Sequence, residues 1–335
     1  MAAFHNPLGA APSRRALLAG ASTAALAFAA TTGLAQQPEP AARANGPLVW
    51  LDMDQQALDD AYDQSKYAPN QQQVTGRYAS NSAAVRERLP PQRAAYGLSP
   101  VEMLDIYATK RAGAPINIFI HGGAWRGGEA RNFAFPAELF VNAGAHYVVP
   151  DFVNVIDSKG DLMPMAEQVR RAVAWVFANA ASFGGDAKRI YLSGHSSGAH
   201  LAGVALVTEW DKEFSVPGDV VKGALLCSGM YDLKPVRLSA RSSYIKFTDA
   251  TEDALSAQRH LARINCPVMV AHGTFETPEF QRQTRDFASA MKAAGKPVQL
   301  LVAPGYNHFE IAETLANPYG ALGRAALEQM KLGGA

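Results

Sequence analysis

Residues 189–207 read RIYLSGHSSGAHLAGVALV and contain the most informative local pattern of this chain. The apolar run before Gly194 is typical of a buried strand, and the Ala- and Leu-rich run after Gly198 is typical of a helix. Glycines two residues on either side of Ser196 let a strand and a helix approach closely around a strained turn. Because such a turn exposes the hydroxyl at the start of a helix, the segment predicts a nucleophilic Ser196 rather than an ordinary structural turn.

A second glycine-rich turn lies upstream of this elbow. It reads HGGAW at positions 121–125 and follows residues 116–120, an apolar run that predicts a buried strand. Two consecutive glycines let the backbone turn its N–H groups toward one point, although alone they would indicate no more than a strand exit. Together with the elbow, they predict an oxyanion hole made by the amides of Gly122, Gly123 and Ser197.

A serine nucleophile needs a base, and the position of His308 fits that role. The apolar run 297–303 predicts the last strand, and the turn-rich segment after it contains His308. Of the eight histidines, this one alone follows that strand. Three others receive structural roles: His121 in the glycine turn, His195 in the elbow and His200 on the following helix, as core or rim. His195 and His200 are five residues apart, a poor spacing for a metal pair on one helical face.

Two segments compete to supply the acid that orients this histidine. Glu276 lies in the loop after the strand 268–272, ahead of Thr277 and Pro278, which are typical of a helix cap and a first helical position. Glu279 falls in the first helical turn, where a carboxylate usually complements the helix dipole. We therefore favour Glu276 and keep Asp232, which follows the preceding strand, as the alternative.

The chain resembles the α/β-hydrolases of the kynurenine formamidase (arylformamidase) and carboxylesterase group. The resemblance spans most of residues 48–331, and the order Ser196, Glu276, His308 is that of the α/β-hydrolase fold. The segments that carry it are His121–Arg126, Gly194–Gly198, Ser228–Leu233, Glu276–Phe280 and Ala61–Asn70.

The resemblance implies a serine hydrolase that cleaves small carboxylic esters or aryl formamides through an acyl-enzyme, without a metal or organic cofactor. An arylformamidase proper, acting on N-formyl-kynurenine, is the alternative. A non-catalytic binding protein on the same fold is a further alternative from another class, disfavoured by the intact set of motifs. A dehalogenase or lyase is disfavoured because a serine, not an aspartate, occupies the elbow.

The substrate pocket is predicted from residues beside these motifs. Ala124, Trp125 and His195 are the candidate pocket residues, and Tyr67 and Phe152 are further candidate walls. Formamidases of this group often carry an aromatic residue where Ala124 stands. The smaller side chain leaves room on the acyl side of the pocket.

Strands and helices alternate along the rest of the chain, as a doubly wound, mostly parallel sheet with helices on both faces requires. Further strands are predicted at 146–149, 221–227, 268–272 and 298–303, and helices at 164–182, 253–263, 279–294 and 319–332. Residues 52–95 are polar and Gln-rich, and we expect them to be helical in pieces and to lie over the edge of the sheet where active-site loops gather. We assign residues 48–335 to one α/β-hydrolase domain.

Composition and net charge argue against one class of partner. With 48% hydrophobic and 18% charged residues the 335-residue chain can bury a large sheet, and its net charge of +1 without a Lys/Arg block argues against nucleic acid as a partner. The partner expected is a small ester or amide.

The only two cysteines, Cys227 and Cys266, are expected at opposite ends of neighbouring parallel strands, roughly 15–20 Å apart. That exceeds the ~7 Å limit between bridged Cα atoms, so we expect two free thiols.

The N-terminus resembles an export signal. Arg14 and Arg15 precede an Ala-rich apolar stretch, and the small residues Gly33 and Ala35 suit cleavage after Ala35. We predict a twin-arginine signal peptide over residues 1–35, a flexible mature start over 36–47, transient binding to the Tat translocase, and a periplasmic or secreted protein. The apolar stretch has modest hydrophobicity, which argues against a stable membrane span.

Export can be tested by replacing Arg14 and Arg15 together with lysine. Because the twin-arginine receptor reads that pair, we expect the precursor to accumulate in the cytoplasm, measured by fractionation and immunoblotting. Replacing Arg43 and Arg77 with lysine in the otherwise unchanged precursor is the control. Unchanged periplasmic accumulation of the first variant would contradict twin-arginine export.

Overall fold

A computed structural model describes residues 46–332 of the chain. The predicted signal peptide at 1–35, and the residues after it up to 45, lie outside the described residues. Residues 46–332 contain no helix that is both long enough and apolar enough to cross a membrane.

The strands and helices follow one another in chain order and confirm most of the predicted elements. The strands are β1 Leu48–Trp50, β2 Met53–Asp54, β3 Gln92–Ala95, β4 Met103–Tyr107, β5 Ala114–Ile120, β6 His146–Pro150, β7 Gly185–His195, β8 Val221–Cys227, β9 Val268–Gly273 and β10 Val298–Ala303. The helices are α1 Gln55–Ala61, α2 Gln71–Arg88, α3 Ala137–Asn142, α4 Met163–Asn179, α5 Ser197–Leu206, α6 Trp210–Glu213, α7 Lys234–Leu238, α8 Asp249–Ala254, α9 Pro278–Ala293, α10 Glu310–Glu313 and α11 Ala321–Gln329.

Eight strands form one sheet in the order β10-β9-β8-β7-β5-β6-β4-β3, and β1 pairs with β2 in a separate hairpin. Pairing is parallel from β10 to β6, whereas β4 and β3 are antiparallel at the far edge. The doubly wound, mostly parallel sheet is thus confirmed. Parallel strands end at the same edge of a sheet, so the loops after β5, β7, β8, β9 and β10 meet there.

The sheet is covered on both faces, which explains its continuous apolar strands. Successive residues of β5 alternate between two buried clusters: Ile116, Ile118 and Ile120 belong to one, and Phe119 to the other. Buried residues of α4, α5 and α9 join the first cluster, and those of α3 and α11 join the second. The helical stripe predicted on α4 is part of this core, with Val169, Val173 and Val176 all fully buried.

One expectation about secondary structure was wrong, and another was incomplete. The helix predicted over 253–263 is broken: α8 ends at Ala254, and single 3₁₀ turns follow at Ala257–Arg259 and Leu261–Arg263. The Ser256 hydroxyl donates to the Glu252 carbonyl and accepts from the Leu233 N–H, so it ties this segment to another loop and competes with a regular helix. Residues 52–95 are helical in pieces, as predicted, but they also contain β3, which extends the sheet.

Both cysteines are free and buried, as the sheet geometry predicts. Cys227 is the last residue of β8, and Cys266 comes two residues before β9. Burial raises the pKa of both thiols, that of Cys266 to about 12, so neither is a reactive thiolate at neutral pH.

Candidate active site

Ser196 occupies a left-handed turn between β7 and α5, with φ 58° and ψ −126°. Its N–H donates to the Cys227 carbonyl at the end of β8, which ties the turn to the sheet (2.9 Å). The flanking glycines are sterically required. A Cβ on Gly194 would lie 2.7 Å from the Gly198 carbonyl oxygen, and one on Gly198 would lie 2.0 Å from that of Ile120. Ser196 is thereby presented above the end of the sheet.

Three predicted side chains from three separate loops meet at this turn. The Ser196 Oγ is 2.9 Å from His308 Nε2, and His308 Nδ1 is 2.7 Å from Glu276 Oε2. Ser196 retains 8% of its accessible surface and His308 3%, whereas Glu276 is fully buried. The chain of contacts runs from a hydroxyl at the cavity wall to a carboxylate in the interior, the arrangement needed to activate a serine.

The Glu276 carboxylate is held ionised by a ring of donors. Burial alone would raise its pKa, but the hydrogen bond and charge of His308, the Ser228 hydroxyl and the Gly273 N–H together lower it below the usual value. Oε1 accepts from Ser228 Oγ at 2.6 Å and from the Gly273 N–H at 2.7 Å. Oε2 is therefore left to His308, which fixes the direction of the imidazole.

Ser228 is a contributor that sequence reasoning missed. It lies directly after β8 with a left-handed φ of 56°, and its N–H donates to the Ala271 carbonyl of β9 (2.8 Å). Its hydroxyl is fully buried and points at Glu276. The available signal was its position: a polar residue at the carboxyl end of a strand that is a neighbour of both β7 and β9.

The two competing carboxylates are engaged elsewhere. Asp232, the alternative acid, pairs with Arg259 at 3.1 Å and accepts from the Lys234 N–H. Glu279, at the start of α9, pairs with Arg282 and accepts from the Tyr62 hydroxyl at 3.1 Å. Neither has a hydrogen bond to His308 within the described chain.

The glycine turn after β5 lies against the elbow. A Cβ on Gly122 would be 3.1 Å from the Ser196 Cβ. Gly123, Ala124 and Trp125 are consecutive residues with positive φ (130°, 53° and 60°), and the Trp125 N–H donates to the Ser197 Oγ at 3.2 Å. In residues 46–332 no acceptor is bound to the N–H groups of Gly122, Gly123, Ala124 or Ser197. The predicted oxyanion donors, and Ala124 beside them, are thus free.

The remaining histidines near the site are buried and neutral. His195 Nε2 lies 2.7 Å from the His308 carbonyl oxygen, and burial, followed by the charge of His308, lowers the pKa of His195 to about 3. His195 thus positions the His308 loop through its Nε2–H and does not become an imidazolium at neutral pH. His200 accepts from the Trp125 indole at Nδ1 (3.1 Å), and burial lowers its pKa to about 4.

A cavity of about 680 Å³ opens at Ser196 and His308. Gly122, Gly123, Ala124 and His195 line it. Side chains of the N-terminal helical pieces form another wall, which confirms that this segment lies near the active site: Tyr62, Gln64, Gln71, Thr75 and Tyr78.

Three aromatic residues expected at the pocket do not line this cavity. Trp125 is 1% exposed, because its left-handed backbone turns the indole inward onto His200. Phe152 stacks on the ring of His121 with centroids 4.4 Å apart. Tyr67 follows a 3₁₀ turn and lies outside the lining. Their placement depends on loop conformations that residue type does not specify.

The chain is similar to known proteins both in sequence and in fold. A family model named BD-FAE matches residues 104–224, and the prolyl oligopeptidase family matches residues 166–319. The kynurenine formamidase of Danio rerio is 31% identical over 282 residues, covering 80% of this chain and 94% of that protein. The kynurenine formamidase of Salmo salar is 30% identical over 284 residues, with the same coverage.

The chain belongs to the formamidase/esterase group of α/β-hydrolases. It is accordingly a hydrolase of carboxylic esters or of linear amides. The esterase B of Lactobacillus rhamnosis, solved with a tributyrin phosphonate inhibitor, superimposes with a TM-score of 0.62 at 19% identity, covering 81% of this chain and 96% of that one. At that identity the likeness concerns the α/β-hydrolase fold.

Replacing Ser228 with alanine tests the support of the buried carboxylate. The change removes one donor from fully buried Glu276, and we expect the free energy of unfolding to fall by about 1–3 kcal/mol, with a loss of hydrolytic rate. Urea unfolding and ester hydrolysis measure the two effects. Ser80→Ala, which removes an exposed hydroxyl from α2, is the matched control. Equal behaviour of the two variants would contradict a supporting role for Ser228.

Proposed function

We propose that this α/β-hydrolase cleaves small carboxylic esters, or aryl formamides, through an acyl-enzyme formed on Ser196. The single observation that carries the proposal is the unbroken contact from Ser196 Oγ through His308 to Glu276, at 2.9 and 2.7 Å, at the wall of a cavity. Each contact is within hydrogen-bond distance for proton transfer or for orientation of the imidazole.

In the first half-reaction His308 Nε2 accepts the proton of Ser196 as Oγ attacks the substrate carbonyl carbon. The imidazolium is stabilised by the Glu276 carboxylate, which stays ionised. His308 then returns the proton to the leaving alcohol or amine, and the bond between the carbonyl carbon and the leaving group breaks. The acyl group remains as an ester of Ser196.

Water completes the cycle by the same path. It gives one proton to His308 Nε2 while its oxygen attacks the acyl carbon, and the Ser196–acyl bond then breaks with return of that proton to Oγ. In both half-reactions the carbonyl oxygen becomes an oxyanion. The free amides of Gly122, Gly123 and Ser197 are the donors we assign to it, and removal of one such donor typically costs about 10²–10³ in kcat.

The small side chain next to Gly123 is the observation in favour of a pocket that accepts acyl groups larger than formyl. Ala124 lines the cavity with only a methyl side chain. An arylformamidase acting on N-formyl-kynurenine is the second candidate, and it is favoured by the names of the two fish relatives.

We further propose that the enzyme works in the periplasm or after secretion, on the strength of the arginine pair in its N-terminal sequence.

Paired substitutions test the mechanism. Ser196→Ala should fold like the parent and lose at least ~10³ in kcat for a p-nitrophenyl ester, because no other hydroxyl replaces the nucleophile. Glu276→Gln should depress kcat strongly, whereas Asp232→Asn, which alters the competing carboxylate paired with Arg259, should change it little. Hydrolysis by Ser196→Ala within a few fold of the parent, or a reversed order of the two acid variants, would sink the assignment.

Substrate profiling separates the two candidate functions. If the pocket extends beyond Ala124, kcat/KM for p-nitrophenyl esters should rise with acyl length until the wall is met, each buried methylene adding up to ~0.8 kcal/mol. Ala124→Tyr should narrow the profile toward formyl substrates, and Ala79→Tyr, on α2 across the same cavity, is the control for added bulk. Efficient cleavage of N-formyl-kynurenine with negligible acetyl and butyryl esterase activity in the parent would establish the formamidase instead.

A further inference from the structure

Two arginines line the cavity that contains Ser196, and both contact the same tyrosine. The guanidinium carbon of Arg126 lies 4.5 Å from the centroid of the Tyr244 ring. Arg241 Nη1 donates to the hydroxyl of that same tyrosine at 3.0 Å. The two positive charges are therefore close together, across Tyr244, and we refer to these three residues as the basic corner.

Arg241 is held in place but not fully paired. Its Nη2 donates to the Tyr62 carbonyl at 2.9 Å, and its guanidinium carbon lies 5.5 Å from the Trp125 ring centroid and 5.8 Å from that of Tyr62. Its Nε is buried and has no acceptor in the described chain. The result is a fixed cation whose hydrogen-bonding capacity is not exhausted.

Neither arginine of the basic corner forms an ion pair with a carboxylate of residues 46–332. Other arginines of this protein do so, for example Arg77 with Glu313. Two acidic residues line the same cavity, but neither forms an ion pair with these arginines: Asp59 accepts from the Ala240 N–H, and Asp63 from the N–H and hydroxyl of Ser65. Two adjacent cations that line a cavity, neither of them in an ion pair with a described carboxylate, indicate a site for an anion.

We propose that the basic corner binds an anionic group of the substrate, specifically a carboxylate, while Ser196 attacks the ester or amide carbonyl. This inference rests on the proposed function and narrows its substrates to half-esters, amide acids or aryl esters that carry a carboxylate. Guanidinium groups suit that partner because their planar N–H forks match two carboxylate oxygens. The Tyr244 hydroxyl accepts from Arg241 and keeps its own proton to donate to the same anion.

Matched substrate pairs in which a carboxylate replaces a methyl group test the inference. In one pair the carboxylate is on the acyl side, mono-p-nitrophenyl succinate against p-nitrophenyl butyrate. In the other it is on the leaving group, 3-acetoxybenzoate against 3-methylphenyl acetate. In at least one pair the parent should show a higher kcat/KM for the anionic member, and the pair that does so identifies which side of the substrate faces the basic corner.

Variants then separate binding of the anion from packing. The Arg126 side chain makes no hydrogen bond within the described chain, and its backbone N–H bond to the Gly123 carbonyl is independent of the side chain, so Arg126→Gln should fold. It should lower the ratio of anionic to neutral kcat/KM about tenfold, as the loss of one charged hydrogen bond does. Arg241→Lys keeps the charge and should retain most of the ratio, whereas Arg241→Gln should lose it. Arg131→Gln, from an arginine paired with Glu129 outside the cavity, should leave the ratio at the parent value.

Salt gives an independent readout. Raising NaCl from about 20 to about 500 mM should lower the ratio in the parent, through screening, and should leave it nearly constant in the Arg126→Gln, Arg241→Gln double variant. A parent ratio below one in both pairs, or equal losses for both members of a pair in Arg126→Gln, would overturn the basic corner while leaving the esterase function intact. A parent that hydrolyses none of the four esters would overturn the proposed function and this inference with it.

Discussion

The close approach of three backbones at Ser196 is the constraint on which the rest of the site depends. The Gly198 Cα hydrogens pack beneath the Ile120 carbonyl, where a Cβ would lie 2.0 Å away. Because no Cβ fits there, the end of β5, the elbow after β7 and the start of α5 pack directly against one another. The positive φ of Ser196 is a conformation that residues other than glycine rarely adopt. It persists only where several surrounding contacts hold the backbone in place. Here the Cys227 carbonyl and the two glycines do so.

The same geometry places hydrogen-bond donors around the buried charge of Glu276. The parallel strands deliver Ser228 and Gly273 to the same edge as the elbow, and both donate to Glu276. A fully buried carboxylate is costly unless it is paired and hydrogen-bonded. With two donors on Oε1 and His308 on Oε2, the charge is compensated, and the imidazole is held in one orientation between Glu276 and Ser196. His195, neutral and bonded to the His308 carbonyl, fixes the loop that carries this histidine.

The N-terminal helical pieces form one wall of the open cavity at the edge of the sheet. Tyr62, directly after α1, and Tyr78 of α2 belong to this wall, and both are anchored. Tyr62 donates to Glu279 of α9, and Tyr78 donates to the Phe309 carbonyl next to His308. The Tyr62 carbonyl also accepts a hydrogen bond from Arg241 Nη2. The wall that shapes the substrate is thereby tied to the loops that carry the chemistry, and this region is where substrate selection within an α/β-hydrolase is expected to differ.

The sequence by itself determined the elements whose cause is local. Gly194, Ser196 and Gly198 specify the elbow through steric necessity, Gly122 and Gly123 specify the turn beside it, and strand order brings Glu276 and His308 to the same edge. Only the tertiary structure decided contacts between side chains distant along the chain. It directed Asp232 to Arg259 and Ser228 to Glu276, and it turned Trp125 inward. It also placed Arg126 over the ring of Tyr244 and Arg241 at the hydroxyl of the same residue. A local pattern fixes backbone conformation and the end of a strand, but the direction of a side chain in a loop depends on what packs against it.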